Sequence, residues 1–390
     1  MKICSLFKNK VIVLLIIVLM PLGASAEDGS NKWAVIGFGP AGIVTAGLLI
    51  DLGVPEKDII CIDPEFNVGR LGQYYNNVPS NTKTKLFVNF IKACKTFQEC
   101  KSAVIDTLYT YDQDLEYPLR IIIEPLKDIS DYLRTKVVSV QDSIKSLYFE
   151  DAQWHIVTQL NERFAVENVV LATGSHPRSL DYNCTNEIGL DIALNKDALA
   201  QVVSPEDSVA VVGSSHSAVL VLKFLSEIKV KKIINFYKNP LQYSVDMGTW
   251  TLHVSTGLKG IAAQWAREVL EKNPPGNLLR LYNNKEARDA WLDVCNKIIY
   301  AVGFERNDLP IINGNTSEIT YDDCSGVIAP RLFGIGIAFP EKYTDPLGNV
   351  EHRVGLNSFM EYAQRVMPEW LAKERNRFDS FEKLFTIDVM

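Results

Sequence analysis

The chain has 390 residues, of which 47% are hydrophobic and 22% charged, with 23 glycines and 17 prolines. This balance excludes a disordered, collagen-like or coiled-coil protein, and the length allows two or three domains with a sizeable core. The formal net charge of −7 provides no basic field for nucleic acid, so a small-molecule partner is the better expectation.

The first 26 residues have the pattern of an export signal. Lys2, Lys8 and Lys10 form a positive segment, the run 11–20 is apolar, and 24–26 read Ala-Ser-Ala, a small-residue cleavage site. The apolar run is shorter than the roughly 20 residues that a membrane-spanning helix needs. We predict a Sec-type signal peptide at 1–26 and a periplasmic or secreted mature protein without stable membrane insertion.

The pattern that follows is that of a dinucleotide-binding unit. An apolar strand at 33–36 runs into the turn Gly-Phe-Gly-Pro-Ala-Gly at 37–42, and an apolar helix pattern covers 43–52. A second apolar strand at 59–62 ends on Asp63. Strand, glycine turn, helix, strand and terminal acid in this order predict a Rossmann-type unit.

The glycines of this turn have separate predicted functions. Gly37 makes the tight turn, Gly39 lets the backbone approach a pyrophosphate, and Gly42 lets the helix pack closely on the strand. Asp63 stands 21 residues after Gly42, where an acid accepts hydrogen bonds from the ribose hydroxyls. The predicted cofactor contacts of this unit are Gly37, Gly39, Pro40, Ala41, Gly42 and Asp63.

A second unit of the same kind begins near residue 208. It has an apolar strand at 209–212, the turn Gly-Ser-Ser-His-Ser-Ala at 213–218, a helix pattern at 219–225 and a strand at 233–236. Serine stands where the second glycine is expected, which restricts the approach of the backbone to a phosphate. The predicted contacts in this turn are Gly213, Ser214, Ser215, His216 and Ser217.

Two residues of the second unit leave alternatives open. Lys238 follows the strand where an acid would select an unphosphorylated ribose, and a cation there suits a 2′-phosphate and favours NADPH over NADH. The alternative is a solvated lysine. His216 either donates a hydrogen bond to a phosphate or begins the helix.

The cysteine pattern gives no metal signature and no fixed disulfide. Six cysteines follow the signal segment, and their spacing contains no Cys-x-x-Cys pair. Cys94 and Cys100 are close enough in sequence to bridge locally. Cys61 lies in an apolar strand pattern, which favours a buried thiol.

Two short segments flank the second unit. Residues 169–174 read Val-Val-Leu-Ala-Thr-Gly and residues 298–303 read Ile-Ile-Tyr-Ala-Val-Gly, each a buried strand that ends in a small residue and glycine. With these landmarks the sequence resembles the two-dinucleotide-binding-domain flavoproteins, in which the first unit binds FAD and the inserted second unit binds NAD(P)H. The resemblance adds the cofactor contacts Thr173, Gly174 and Gly303.

This resemblance implies an α/β fold with two Rossmann-like, three-layer domains, the NAD(P) domain being inserted into the FAD domain. The domain boundaries that we predict are 27–175 and 298–390 for the two parts of the FAD domain and 176–297 for the NAD(P) domain. FAD and NADPH are the expected cofactors, and no metal is expected.

Within the superfamily the first unit is similar to the flavin-containing monooxygenases and N-hydroxylases. The stretch 65–84 contains no cysteine, unlike a disulfide reductase, and instead carries an Asn-Val-Pro run and Ser80-Asn81-Thr82. The resemblance places Asn81 against flavin and nicotinamide; a turn asparagine is the alternative. The candidate catalytic residues are Asn81, Gln73 and Tyr74, the further cofactor contacts are Gly72 and Gly336, and the possible pocket walls are Tyr75 and Trp250.

Two departures bear on the activity. The monooxygenase fingerprint between the two turns is absent, and the segment 332–340 lacks the usual Gly-Asp. We predict an FAD-dependent monooxygenase that uses NAD(P)H and O2 on a small nucleophilic substrate through an oxygenated flavin. The alternatives are an NAD(P)H-dependent flavin reductase or dehydrogenase that passes electrons to an acceptor, and a non-catalytic FAD-binding protein.

Overall fold

The structure, a computed structural model, describes residues 32–182, 186–314 and 319–385, with side chains as far as residue 372. The predicted signal segment at 1–26 lies outside the described residues. The strands of the described part are β1 (Trp33–Ile36), β2 (Ile59–Ile62), β3 (Val138–Val140), β4 (Ile144–Glu150), β5 (Gln153–Thr158), β6 (Arg163–Val166), β7 (Asn168–Leu171), β8 (Ser175–Pro177), β9 (Ser208–Val212), β10 (Lys232–Tyr237), β11 (Val245–Asp246), β12 (Thr251–Leu252), β13 (Leu278–Tyr282), β14 (Lys297–Tyr300), β15 (Phe304–Arg306), β16 (Ile311–Ile312), β17 (Val327–Ala329), β18 (Leu332–Gly334), β19 (Glu341–Thr344) and β20 (Val350–Arg353).

The α-helices connect and cover these strands. They are α1 (Pro40–Asp51), α2 (Gly69–Tyr74), α3 (Thr84–Lys92), α4 (Lys95–Glu99), α5 (Ala103–Thr110), α6 (Arg120–Arg134), α7 (Leu190–Ala193), α8 (Lys196–Val202), α9 (His216–Ile228), α10 (Gly260–Trp265), α11 (Lys285–Trp291) and α12 (Leu356–Phe385). A π-helical turn, Ala266–Leu270, continues α10.

The first sheet has six strands in the order β17-β18-β7-β1-β2-β3. β1 pairs in parallel with β2 on one side and with β7 on the other. In a parallel sheet of this kind, ligands bind beyond the carboxyl end of the strand where the order reverses, which here is β1. The predicted turn at 37–42 lies at this point.

The two faces of this sheet belong to two cores. Trp33 and Val35 of β1 pack with the helices, whereas Ala34 and Ile36 pack with Trp154 of the antiparallel sheet β16-β4-β5-β6. Alternate side chains of a strand point to opposite faces, so the uniformly apolar strand predicted from the sequence is buried on both sides. The first unit therefore has three layers: helices, parallel sheet and antiparallel sheet.

The second sheet has four parallel strands in the order β13-β10-β9-β14. Helix α9 joins β9 to β10, and its apolar face forms a core with the sheet. A second core on the opposite face includes Ile234, Phe236 and Tyr300. This arrangement confirms the predicted fold class, with a second parallel unit inserted between segments of the first.

The chain leaves the second unit later than the sequence predicted. β14 pairs with β9, so this strand belongs to the second sheet although the predicted boundary lies at 297/298. The connection between the units is a two-stranded ribbon in which β8 pairs with β15. The sequence of β14 resembles that of β7, but the pairing partner depends on tertiary structure.

Cys61, Cys94, Cys100 and Cys324 are free thiols. Cys94 and Cys100 stand at opposite ends of the short helix α4, so the local disulfide that their spacing allows does not form. Cys61 is fully buried in β2, as its apolar surroundings predicted, and burial together with the charge of Asp63 raises the pKa of its thiol. Cys184 lies outside the described residues.

Helix α12 returns to the first unit and closes its core. Ala363 and Met367 are fully buried, and the ring of Trp370 stacks on Phe333 of the first sheet at a centroid distance of 4.4 Å. The helix begins at Leu356, close to the carboxyl end of β1. None of the helices in the described part of the chain is both long and apolar enough to cross a membrane.

A buried ion pair fixes the amino end of the second sheet, and it predicts a pH-dependent stability. Burial raises the pKa of Asp207, but hydrogen bonds from Lys297, Asn296 and the Ser204 N–H outweigh it and lower the pKa to about 2. A folded-state pKa below the unfolded value of about 3.9 stabilises the fold above about pH 4, and this contribution is lost as the pH falls from 4 towards 2.

We expect Asp207→Asn to lower the free energy of unfolding by roughly 2 kcal/mol at neutral pH, and by progressively less below about pH 4. Urea unfolding of both proteins over this pH range measures the difference. Glu206→Gln, a change at the exposed neighbouring residue, is the control and should have little effect. If the loss of unfolding free energy in Asp207→Asn were the same at every pH, the stabilisation could not come from the ionised Asp207 carboxylate.

Candidate active site

A cavity of about 630 Å³, termed the first cavity, opens at the carboxyl end of β1. It is bounded by the glycine turn, the end of β2, the end of β7 and the start of α12. The sequence-predicted residues that line it are Gly37, Gly39, Pro40, Ala41, Asp63, Gln73, Asn81, Thr173, Gly174 and Gly336. Residues that were predicted from separate segments of the chain therefore meet at one site.

The turn between β1 and α1 has no room for side chains at two of its glycines. A Cβ atom on Gly37 would lie 2.4 Å from the carbonyl oxygen of Ala172, and one on Gly42 would lie 1.9 Å from the carbonyl oxygen of Gly37. Gly39 differs, because the nearest protein atom would be 3.7 Å away. Gly39 is therefore not required by the protein's own packing, and the space beside it belongs to the first cavity.

Asp63 ties this turn to the loop that follows β2. One carboxylate oxygen accepts a hydrogen bond from the Phe38 N–H at 2.7 Å, and the other accepts from the N–H groups of Glu65 and Phe66. The side chain is buried and lines the first cavity. The structure thus gives Asp63 a structural role that the sequence analysis missed, and the ribose contact stays a prediction.

Two buried polar atoms near the first cavity have no hydrogen-bond partner among the described residues, namely Thr173 Oγ1 and Arg70 Nε. Both residues line the cavity. Buried polar groups are generally paired, so such atoms indicate that a ligand completes the site. Thr173 was predicted, whereas Arg70 was not, because no motif in the sequence marks it.

Arg70 also joins the two units. Its guanidinium pairs with Asp191 of α7 in the second unit, and the Tyr75 hydroxyl donates a hydrogen bond to the same carboxylate. Burial and the hydrogen bond to Asp191 raise the pKa of Tyr75. Tyr75 therefore remains protonated, and its ring forms part of the cavity wall, as predicted.

The other predicted aromatic residues do not reach the cavity. Tyr74 lies on the outer side of α2 with the guanidinium of Arg70 against its ring at 4.6 Å, and Trp250 lies in the loop before β12. Neither residue lines the first cavity or the second one described below. Adjacent residues of α2 point in different directions, so only one of the two neighbouring tyrosines faces the site.

Three predicted glycines lie outside the cavity lining. Gly42 and Gly72 provide close packing, since a Cβ atom on Gly72 would lie 2.2 Å from the Asn67 carbonyl oxygen. Gly303 follows β14 with open space around it. Asn307 was not among the predicted contacts, yet it lines the cavity, and its side-chain amide donates to the Thr173 carbonyl oxygen at 2.8 Å.

The second nucleotide turn repeats the geometry of the first. A Cβ atom on Gly213 would lie 2.2 Å from the carbonyl oxygen of Ala301, as on Gly37 beside Ala172. Ser215 is the N-cap of α9 with φ −87°, close to the φ of −71° at Gly39. His216 begins the helix; burial and then the charge of Lys259 lower its pKa to about 4, and its Nδ1 has no partner among the described residues.

The sequence analysis missed a buried asparagine that holds this second turn. Asn235 of β10 is fully buried, and its amide donates to the carbonyl oxygens of Val211 and Gly213. Arg280 of β13 donates in turn to the Asn235 amide oxygen at 3.0 Å. Lys238 is exposed directly after β10, at the position predicted for contact with a ribose or its phosphate.

A second cavity, of about 530 Å³, lies between the two units. Asn81 and Thr82 line both cavities, so the two spaces adjoin at these residues. From the second unit, residues between 244 and 268 line it, and Lys83, Leu86 and Glu116 join Asn81 and Thr82 from the first. No described cysteine lines either cavity.

A family model described as pyridine nucleotide-disulphide oxidoreductase matches residues 31–332. The chain belongs to this family. It is 33% identical over 387 residues to the monooxygenase AgnR1 of Paecilomyces divaricatus, with 87% of this chain and 97% of the relative covered. The family and this relative identify the protein as an oxidoreductase.

Solved structures share the fold at low sequence identity. A flavin-containing monooxygenase from Stenotrophomonas maltophilia is 14% identical with a TM-score of 0.57, and 88% of this chain and 99% of that chain are covered. The bacillithiol disulfide reductase Bdr from Staphylococcus aureus is 9% identical, with the same TM-score and the same coverage. Because a monooxygenase and a disulfide reductase share this fold equally, the residues of the site must distinguish the two activities.

The residues of the first cavity fit the FAD that this family implies. The two unpartnered polar atoms, the free space at Gly39 and the start of α1 provide donors and room for a dinucleotide. The start of α12, formed by Gly355 and Leu356, lines the same cavity. The partial positive charge of a helix N-terminus stabilises negative charge on a bound ring.

Proposed function

We propose that this oxidoreductase is an FAD-dependent monooxygenase that uses NADPH and O2 to oxygenate a small nucleophilic substrate, such as an amine or a thioether. The observation that carries the proposal is the position of Asn81, which lines both cavities and would face a reactant in either. The name of the AgnR1 relative supports the same activity.

No cysteine of the described part of the chain lines either cavity, which argues against disulfide reduction. A disulfide reductase exchanges electrons through a thiolate that attacks a disulfide sulfur beside the flavin. Among the described cysteines of the first unit, Cys61 is buried in β2, Cys94 and Cys100 are buried at the ends of α4, and Cys324 is exposed outside both cavities. The monooxygenase reaction needs no such nucleophile.

When bound, FAD accepts a hydride from NADPH and supplies the electrons that activate O2. In the overall reaction the substrate, NADPH, a proton and O2 yield the oxygenated substrate, NADP⁺ and water. The chain's contribution is position, electrostatic field and exclusion of water. Asn81 would donate its side-chain N–H to an oxygen atom, and the N-terminus of α12 would stabilise negative charge in the cavity.

NADPH is the coenzyme that we propose for the second unit. Ser214, Ser215 and Ser217 surround the start of α9, where free N–H groups and the helix dipole favour a diphosphate. The exposed ammonium group of Lys238 is placed for a 2′-phosphate. The signal-like segment at 1–26 supports the further proposal that the enzyme is exported to the periplasm or secreted.

The decisive experiment follows both electrons and oxygen. The FAD-loaded enzyme is reduced by NADPH without oxygen, and ¹⁸O2 is then admitted with a panel of amines and thioethers. We expect NADPH to bleach the flavin, and a turned-over substrate to gain one ¹⁸O for each NADPH consumed. Mass spectrometry of the product and the flavin absorbance provide the two measurements.

Each rival function gives a different result. Reduction followed by reoxidation without ¹⁸O in any product would favour a reductase or dehydrogenase, and flavin that NADPH never bleaches would favour a binding protein. Asn81→Ala should still be reduced by NADPH but should divert O2 to hydrogen peroxide. Asn77→Ala, at an exposed residue outside both cavities, should behave as the unmodified enzyme.

A further inference from the structure

We propose that the second cavity is the chamber of the organic substrate and that Lys259 binds a carboxylate of that substrate. This inference rests on the proposed monooxygenase function and narrows its substrate to a small organic acid. The carboxylate would lie at Lys259, and the nucleophilic nitrogen or sulfur would lie towards Asn81.

The position of the cavity suits a third molecule beside the two cofactors. It adjoins the first cavity at Asn81 and Thr82, so an occupant would lie next to the proposed flavin site. None of the turn residues 213–217, where the coenzyme diphosphate would bind, lines it. The volume of about 530 Å³ lies in the range of small-molecule sites.

Lys259 provides a cation with unused donors in this cavity. Its Nζ donates to the Val254 carbonyl oxygen at 2.5 Å, and no other hydrogen bond joins it to a described residue. An ammonium group has three N–H donors, so two remain available for a ligand. Burial lowers the pKa of Lys259 even though Glu351 and Glu116 raise it, so the nearby carboxylates do not fully compensate the charge.

The protein holds the two nearby carboxylates differently. Glu351 of β20 is buried and accepts hydrogen bonds from the N–H groups of Ser255 and Thr256 and from the Thr256 hydroxyl. Glu116 lies against Gly260, where a Cβ atom would be 2.1 Å from its Oε2, and burial raises its pKa. Glu351 holds the loop around Lys259 in place. Burial and then the charge of Lys259 lower the pKa of His216 to about 4, so this neighbour is neutral at pH 7.

The helix beside Lys259 has an irregular winding that is common at functional sites. α10 begins at Gly260 and passes into the π-helical turn Ala266–Leu270. Gln264, Arg267 and Glu268 from this segment line the rim of the cavity. The second unit thus contributes a helix and a loop to the chamber, whereas the first contributes Asn81, Thr82, Lys83, Leu86 and Glu116.

The test compares acids with their amides. The probes are (methylthio)acetic acid and para-(aminomethyl)benzoic acid, each with its primary amide, titrated into FAD-loaded oxidised enzyme by calorimetry. We expect the acids to bind about tenfold more tightly, the difference typical of a charge-assisted hydrogen bond. Lys259→Met should abolish the preference, and Lys259→Arg should retain most of it.

The control and a second variant keep the test decisive. Lys85→Met removes an exposed lysine outside both cavities, paired with Asp114, and should leave the acid preference unchanged. Glu116→Gln removes a carboxylate from the chamber and should strengthen acid binding severalfold. If Lys259→Met fails to fold, Glu116→Gln still tests the inference. Acid binding by Glu116→Gln that is equal to or weaker than that of the unmodified enzyme would overturn it.

Two further outcomes would also overturn it. One is equal binding of acids and amides, or no binding of either acid. The other is a loss of NADPH affinity in Lys259→Met as large as the loss of acid affinity, which would assign the lysine to the coenzyme. Acid binding that depends on Lys259 without ¹⁸O transfer to any probe would instead contradict the monooxygenase function and leave the binding site standing.

Discussion

Replacing Asp63 with asparagine is expected to lower the free energy of unfolding by about 2 to 3 kcal/mol and to release the flavin. The carboxylate accepts hydrogen bonds from three backbone N–H groups, and the N–H of Phe38 belongs to the glycine turn. An amide has one oxygen in place of two, so its NH2 group would face at least one of these donors. A buried donor without an acceptor is destabilising, and the turn that it holds forms the wall of the first cavity.

Urea unfolding of the flavin-free protein and the flavin content after purification separate the two roles of Asp63. If Asp63→Asn lost the flavin but kept its free energy of unfolding, the side chain would serve ribose recognition alone. If the variant kept both its flavin and its free energy of unfolding, the structural role would be contradicted. Asp58→Asn is the matched control, because Asp58 lies just before the other end of β2 and contacts Lys32 only at 3.9 Å. A partly exposed pair of this length contributes little to stability.

The elements around the two nucleotide turns could be predicted because their signals are local. The strand at 33–36, the strand at 59–62 and the helix after each turn have the predicted type and nearly the predicted bounds. Apolar runs next to glycine turns allow few other structures. Much of the cavity lining could be predicted for a related reason. The carboxyl ends of β1, β2 and β7 meet at one edge of a parallel sheet, so the residues that follow these strands lie close together.

The residues that join the two units could not be found in this way. Asp191, Glu351 and Lys259 lie in segments without a motif, and each acquires its function from a partner far away in the sequence. Tyr74 was predicted in place of Arg70 because the sequence does not show which side of the short helix α2 faces the cavity.

Gly42→Ala should destabilise the fold and Gly39→Ala should not, although both should weaken flavin binding. A Cβ atom on Gly42 would lie 1.9 Å from the Gly37 carbonyl oxygen, so the turn must open at a cost of roughly 3 kcal/mol or more. A Cβ atom on Gly39 finds no protein atom nearer than 3.7 Å, and the φ of −71° suits alanine. We expect Gly39→Ala to keep the stability of the flavin-free protein and to weaken FAD binding about a hundredfold.

The comparison depends on the similarity of the two turns. Ser215 occupies in the second turn the position of Gly39 with nearly the same backbone conformation, so this position tolerates a side chain. Packing within the protein therefore does not require glycine at position 39. The glycine is explained by the space that a bound ligand needs. Urea unfolding and FAD titration of both variants measure the effects on stability and on FAD affinity separately. Gly189→Ala is the control, because a Cβ atom at Gly189 meets no protein atom within 4 Å. If Gly39→Ala bound FAD normally, the dinucleotide would not approach the turn at this residue, and the position of FAD in the first cavity would have to be revised.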